Sequence, residues 1–107
     1  MEAKANVLIT TVDSDELAMR LAETLISKRL AACVQQMPIK SHYRWEGKVQ
    51  CDTEILLLIK TSVGALDEAI AAIENIHSYD VPEIITLPVT GGSAAYLKWL
   101  DGETASP

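Results

Sequence analysis

Phenylalanine is missing from this 107-residue chain, and cysteine, histidine and basic residues are scarce. The two cysteines, Cys33 and Cys51, form no dense pattern, which argues against a secreted disulfide scaffold. Nine Lys and Arg stand against fifteen Asp and Glu, for a formal net charge of -6. Such an acidic chain suits neither a nucleic-acid backbone nor an anionic membrane, and it suits cations better. No apolar run approaches the roughly 20 residues of a membrane-spanning helix. Val7 to Ile9 is too short for the core of a signal peptide, and Lys4 is the one basic residue beside it. The expectation is a chain without a leader, located in the cytoplasm. Gly91-Gly92 is a turn and not a phosphate-binding GxGxxG loop. With two histidines, no HxH or HExxH pattern and no assignable Ser-His-Asp triad, no enzyme is expected.

What is present fits one folded domain over residues 1–107, with an ordered core from 6 to 101. The composition, 49% hydrophobic and 22% charged, is that of an ordinary globule. Asn6 to Val12 is short and β-branched, which predicts a buried strand. Asp13, with Glu16 three residues on, has capping-box spacing. Leu17, Leu21 and Leu25 then recur at four-residue spacing, predicting a helix to about Leu30. Ser62 can cap a second helix, in which Val63, Leu66, Ile70 and Ile73 share a face to about Asn75. A last strand is expected from Val81 to Val89, and a short helix capped by Ser93, with a frayed tail after Asp101.

The longest feature is a hairpin of two strands, Cys33 to Trp45 and Val49 to Thr61. At about 3.3 Å per residue each arm spans roughly 43 Å, longer than a domain of this size needs. Side-chain parity places Ile39, Ser41, Tyr43 and Trp45 on one face of the first arm, and Lys40, His42 and Arg44 on the other. Matching apolar with apolar across the arms favours a three-residue loop, Trp45-Glu46-Gly47, that sets Tyr43 against Val49 or Cys51. In that register His42 and Cys51 lie on opposite faces, so no Cys-His pair is expected. From Ile55 to Ile59 every residue is apolar, as for a strand buried on both faces. One face then lies under this chain's helices and the other needs cover from another chain. The order β-α-β-β-α-β plus a terminal helix gives the α+β, ferredoxin-like split βαβ fold.

Few residues stand out for chemistry. His77 lies in the loop HSYDVPE near Tyr79, Asp80 and Glu83, and His with carboxylates can hold a divalent cation. The plainer reading is a helix-end histidine bonded to a nearby carbonyl. Cys33 is either a buried small hydrophobe or a soft-metal ligand, and Cys51 a packing residue. Glu54 and Lys60 flank the apolar run on one face, as a solvated pair or as the lining of an intersubunit cleft together with Tyr79. Tyr43, Trp45, Ile39, Val49, Leu56 and Leu58 are the candidate interface residues.

LAAC at Leu30 to Cys33, YRWEGK at Tyr43 to Lys48, LLIKT at Leu57 to Thr61, HSYDVPEI at His77 to Ile84 and YLKWL at Tyr96 to Leu100 stand in order. Together they resemble the CutA family of divalent-cation tolerance proteins, over nearly the whole chain. The resemblance implies a ferredoxin-like subunit, a tight cytoplasmic homotrimer similar to the PII signalling proteins, and a role in tolerance to copper and other divalent ions. It implies a weakly held divalent cation, Cu²⁺ or Zn²⁺, with His77, Glu83 and Cys33 as candidate ligands. In copper-linked bacterial members a Cys ends the first strand and two adjacent histidines precede a Pro-Tyr pair. Here Thr10, Ile76 and His77 stand at those positions, with Ser78 at the proline, so His77 alone carries over. A second reading is a PII-like regulator holding a small anionic metabolite between subunits, with Lys60 as a contact.

Overall fold

Two stretches with opposite patterns become the middle of one sheet: β-branched Ala5–Val12 and the apolar run before Thr61. In a computed structural model, which describes residues 2–104, the elements are β1 (Ala5–Val12), α1 (Asp15–Ser27), β2 (Cys33–Trp45), β3 (Lys48–Thr61), α2 (Leu66–Ile76), β4 (Ile84–Val89) and α3 (Ala94–Glu103). The strands form an antiparallel sheet in the order β2-β3-β1-β4. This is the ferredoxin-like arrangement, with both crossovers carried by α1 and α2.

One sheet face is covered. Leu8 and Val12 from β1 and Leu57 and Ile59 from β3 pack fully buried against Ala18, Leu21 and Leu25 of α1 and Ala69 and Ile73 of α2. Residues opposite one another in an antiparallel ladder share a face, so the register also fixes the other side. Val7 and Ile9 face Lys60 and Leu58 on one flank and Leu87 and Ile85 on the other, while Met37 lies opposite Leu56. Here the unbroken apolar run divides. Leu57 and Ile59 are fully buried, whereas Leu56 and Leu58 are only half-buried, and Met37, Ile85 and Leu87 are exposed. A contiguous apolar face is thus left bare. Along its longest axis the chain extends 44 Å.

The hairpin loop differs from the sequence expectation. The turn is the two-residue Glu46-Gly47, and Trp45 pairs with Lys48. Both turn residues have left-handed backbone, φ 50° and 78°. That is the type I′ geometry, whose twist matches the strands it joins. Tyr43 therefore lies opposite Gln50, Val49 opposite Arg44, and Cys51 opposite His42. Val49 and Cys51 are on the face away from Tyr43, and His42 and Cys51 share a face. Matching by chemistry failed because the outer arms are exposed on both sides, so burial imposes no penalty on a mixed pair. A non-glycine residue at φ 50° is unfavourable by about 1 kcal/mol, and Asn tolerates that region better. Glu46→Asn is therefore expected to raise stability by about 0.5–1 kcal/mol. A urea midpoint that stays the same or falls would contradict this assignment of the turn.

Other boundaries shift by a few residues. Ser14, and not Asp13, caps α1, accepting from the Leu17 N–H at 3.1 Å. α1 ends at Ser27 in a Schellman turn: Arg29 is left-handed (φ 59°), its N–H bonds the Ile26 carbonyl, and the Leu30 N–H bonds that of Leu25. Ser62 accepts from the Ala65 N–H in a turn one step before α2, so Val63 is exposed and off the helix face. β4 starts at Ile84 because Pro82 lies in the incoming loop, while Pro88 is accommodated on an edge strand.

The expected fraying after Asp101 is not observed. α3 continues through Glu103, and Thr104 is buried. Arg29 Nε and Nη2 donate to the carbonyls of Glu103 (3.1 Å) and Gly102 (2.6 Å), satisfying the end of α3. Residues 105–107 of the expected tail, and Met1 of the expected domain span, lie outside the described residues.

Candidate functional site

Glu54 projects from β3 onto the bare face, opposite Ile39. Only 8% of it is exposed, and a buried carboxylate requires hydrogen-bond donors. Tyr79 supplies one, donating from its hydroxyl to Glu54 Oε2 at 2.8 Å. The loop that carries Tyr79 is shaped by His77, the residue just after α2. His77 Nδ1 accepts from the Tyr79 backbone N–H at 3.1 Å. The ring proton therefore sits on Nε2, which donates to the Thr11 carbonyl at 2.8 Å. The two rings lie 4.9 Å apart. Burial, then the Glu54 hydrogen bond and charge, raise the Tyr79 hydroxyl well above its ordinary pKa, so it stays a donor.

A second pair repeats the motif two residues along β3. The Tyr43 hydroxyl donates to Asp52 Oδ2, and that bond, then burial and the charges of Asp52 and Glu54, raise the Tyr43 pKa. Beside the two tyrosine–carboxylate pairs opens a cleft of about 680 Å³. Ser41, His42, Tyr43 and Trp45 line it from β2, Glu54 and Thr11 form its floor, and Ser78, Tyr79, Asp80, Val81 and Glu83 close it from the loop before β4. No Lys or Arg among the described residues lines it. It is an acidic, hydroxyl-rich cleft with aromatic walls.

The residues singled out in the sequence divide between two places. Glu54, Tyr79, Tyr43, Trp45 and Glu83 meet in the cleft. Lys60 does not. It shares the face of Glu54 but lies six residues further along β3, roughly 20 Å away. Its ammonium is 5.5 Å from the centroid of the Tyr96 ring, in a pocket of about 250 Å³ formed with the turn at Gly91-Gly92 and α3. Cys33 lies opposite Lys60 at that same far end. His77, Glu83 and Cys33 are therefore not brought together. Among the described residues no group of three or more His, Cys, Asp or Glu is placed to hold a metal ion. Ile39, Leu56 and Leu58 lie on the bare face with Tyr43 and Trp45, while Val49 points the other way.

Sequence reasoning grouped Asp80 with the His77 loop but missed Ser41 as a cleft residue and the approach of Cys51 to His42. Cys51 Sγ lies 3.7 Å from His42 Nε2. The signal for this pair was the two-residue register.

Comparison with known proteins places these features in a family. Residues 6–103 match the family model described as CutA1 divalent ion tolerance protein. The chain is 50% identical over 99 residues to the rice protein named "Protein CutA 1, chloroplastic", covering 92% of this chain and 56% of that protein. It is 43% identical over 99 residues to the Thermus thermophilus divalent-cation tolerance protein CutA, covering 92% and 96%. This chain spans about half the length of the plant relatives it matches. Among solved structures, the periplasmic divalent cation tolerance protein CutA of Archaeoglobus fulgidus superposes with a TM-score of 0.92 at 37% identity, covering 94% of this chain and 99% of that one.

The ligand positions carried over by resemblance do not make a metal site in this chain. Thr10 is fully buried on the helix-covered face, opposite Leu57 and Ile84, and its hydroxyl has no partner. Ile76 offers no donor atom, and both nitrogens of His77 are already engaged.

Proposed function

We propose, because the chain belongs to the CutA1 divalent ion tolerance family, that it acts without catalysis, as a homotrimer that binds divalent cations weakly in the acidic cleft. The observation that carries this reading is the cleft lining. Glu54, Asp80 and Glu83 contribute carboxylates, and no Lys or Arg among the described residues lines the cleft with them. Oxygen donors of that kind attract divalent ions, and without a preassembled ligand set they bind them loosely. The bare sheet face, on which Met37, Ile85 and Leu87 are exposed, supports assembly. No helix among the described residues is long and apolar enough to cross a membrane.

Calorimetric titration with Cu²⁺ and Zn²⁺ tests the cleft. Glu83→Gln, an exposed position, is expected to weaken binding several-fold while leaving the fold intact. His77→Ala is expected to change ion affinity less than Glu83→Gln does and to lower stability by roughly 1–3 kcal/mol, because the Thr11 carbonyl and the Tyr79 N–H lose their shared partner. Equal affinity in the wild type and Glu83→Gln would remove the cleft from the reading. The anionic-metabolite alternative is disfavoured at this site, because Lys60, its proposed contact, lies outside the cleft.

A further inference from the structure

Cys51 and His42 are directly opposed across the hairpin, on the face turned away from the tyrosine–carboxylate pairs. Their Sγ and Nε2 atoms are 3.7 Å apart, and both side chains are exposed. We infer that the two form a bidentate sulfur–nitrogen site for a zinc-class divalent cation. The geometry carries the inference. Zinc bonds of about 2.3 Å to sulfur and 2.0–2.1 Å to nitrogen, closed over that separation, give an S–M–N angle of about 115°. That is close to tetrahedral, so the separation suits one shared ion. The β2–β3 ladder extends to Trp45 and Lys48 beyond the pair and holds it in register.

The chemistry of the surrounding face sets the selectivity. Two residues along either arm, the side chains sharing this face are Lys40, Arg44, Val49 and Thr53. None is a carboxylate, so magnesium and calcium find no charged oxygen donors here. A thiolate and an imidazole select borderline and soft ions. On binding, the metal–sulfur bond replaces the S–H bond, and the thiol proton goes to solvent. The two protein ligands leave the remaining coordination positions to water, and Lys40 and Arg44 repel the incoming charge, so the affinity is modest. The site is distinct from the acidic cleft. His42 borders both, but Cys51 does not line the cleft.

The test uses Co²⁺ as a spectroscopic substitute, added to the reduced full chain. A thiolate-to-cobalt charge-transfer band is expected, and Zn²⁺ should abolish it. Cys51→Ser should lose the band, while Cys33→Ser should keep it. His42→Ala should weaken binding by roughly tenfold or more, as loss of one of two ligands. Cys51 and His42 are exposed and Cys33 is half-buried, and an unshifted thermal midpoint would verify the fold of each variant. Glu83→Gln should leave the band intact, which separates this site from the cleft. No band at millimolar Co²⁺, or a band that survives Cys51→Ser, would overturn the inference. Either result leaves the cleft reading standing, because calorimetry on Glu83→Gln in a Cys51→Ser background reads the cleft alone.

Discussion

For the proposed homotrimer, Met37→Glu is expected to leave single chains of 11.7 kDa. Met37 lies on the bare sheet face, opposite Leu56, and is 46% exposed in the isolated subunit. A carboxylate there meets water in the monomer, so the subunit should fold unchanged. In an assembly that covers the face, the same carboxylate is buried without a partner. Uncompensated buried charge costs roughly 3–5 kcal/mol, and symmetry repeats the cost in every copy. Each 1.4 kcal/mol is tenfold in affinity, so dissociation should be complete at micromolar concentrations. Sedimentation equilibrium, paired with far-UV circular dichroism, reads both mass and fold. A folded variant with the parent's mass would show that assembly, where it occurs, uses another surface. A parent that itself sediments near 11.7 kDa would dispose of the trimer.

Leu57→Ala is expected to have the largest effect on the subunit itself. Leu57 is fully buried under the helices, within the cluster that contains Leu21, Leu25 and Ile73. Truncating a buried leucine removes apolar contacts and leaves a cavity, with a loss of about 2–5 kcal/mol. Against a total stability of roughly 5–15 kcal/mol, that is a large share. The neighbouring Leu56 provides the control. It is half-buried on the bare face, and Leu56→Ala should cost the isolated subunit much less. Urea unfolding of both variants in the Met37→Glu background separates subunit stability from assembly, which otherwise adds a concentration-dependent contribution. Equal losses at the two positions would mean that the covered and bare faces are wrongly assigned.

How far each feature was legible depended on what constrained it. The core strands and both crossover helices could be read because burial enforces a period, as with Leu17, Leu21 and Leu25. The division of the apolar run into Leu57 and Ile59 under the helices, and Leu56 and Leu58 outside, followed from the strand period of two. The hairpin turn did not follow, because Glu46 carries no mark of a left-handed residue and the exposed arms tolerate mismatched pairs. The end of α3 was invisible for another reason: its cap is Arg29, 73 and 74 residues earlier in the chain. The site was half legible. Glu54, Tyr79 and Glu83 were chosen as candidates, but the pairing of Tyr79 with Glu54 spans 25 residues. His77 looked available for metal because only the fold brings the Thr11 carbonyl to its ring.

The two-residue turn also bears on the order in which the chain assembles. β2 and β3 are the one strand pair joined by a tight turn among the described residues, since β1 pairs with β3 and β4 only across crossovers. Closing a short loop costs the least chain entropy, so the Glu46-Gly47 end can zip before β1 finds its place. Pairing would then run from the exposed tip toward the core. A residue that acts at the start of that process changes the folding rate more than the unfolding rate. Glu46→Asn should accordingly steepen the advantage of the refolding limb in stopped-flow kinetics and leave unfolding nearly untouched. An equal change confined to unfolding would place formation of the turn after the rate-limiting step.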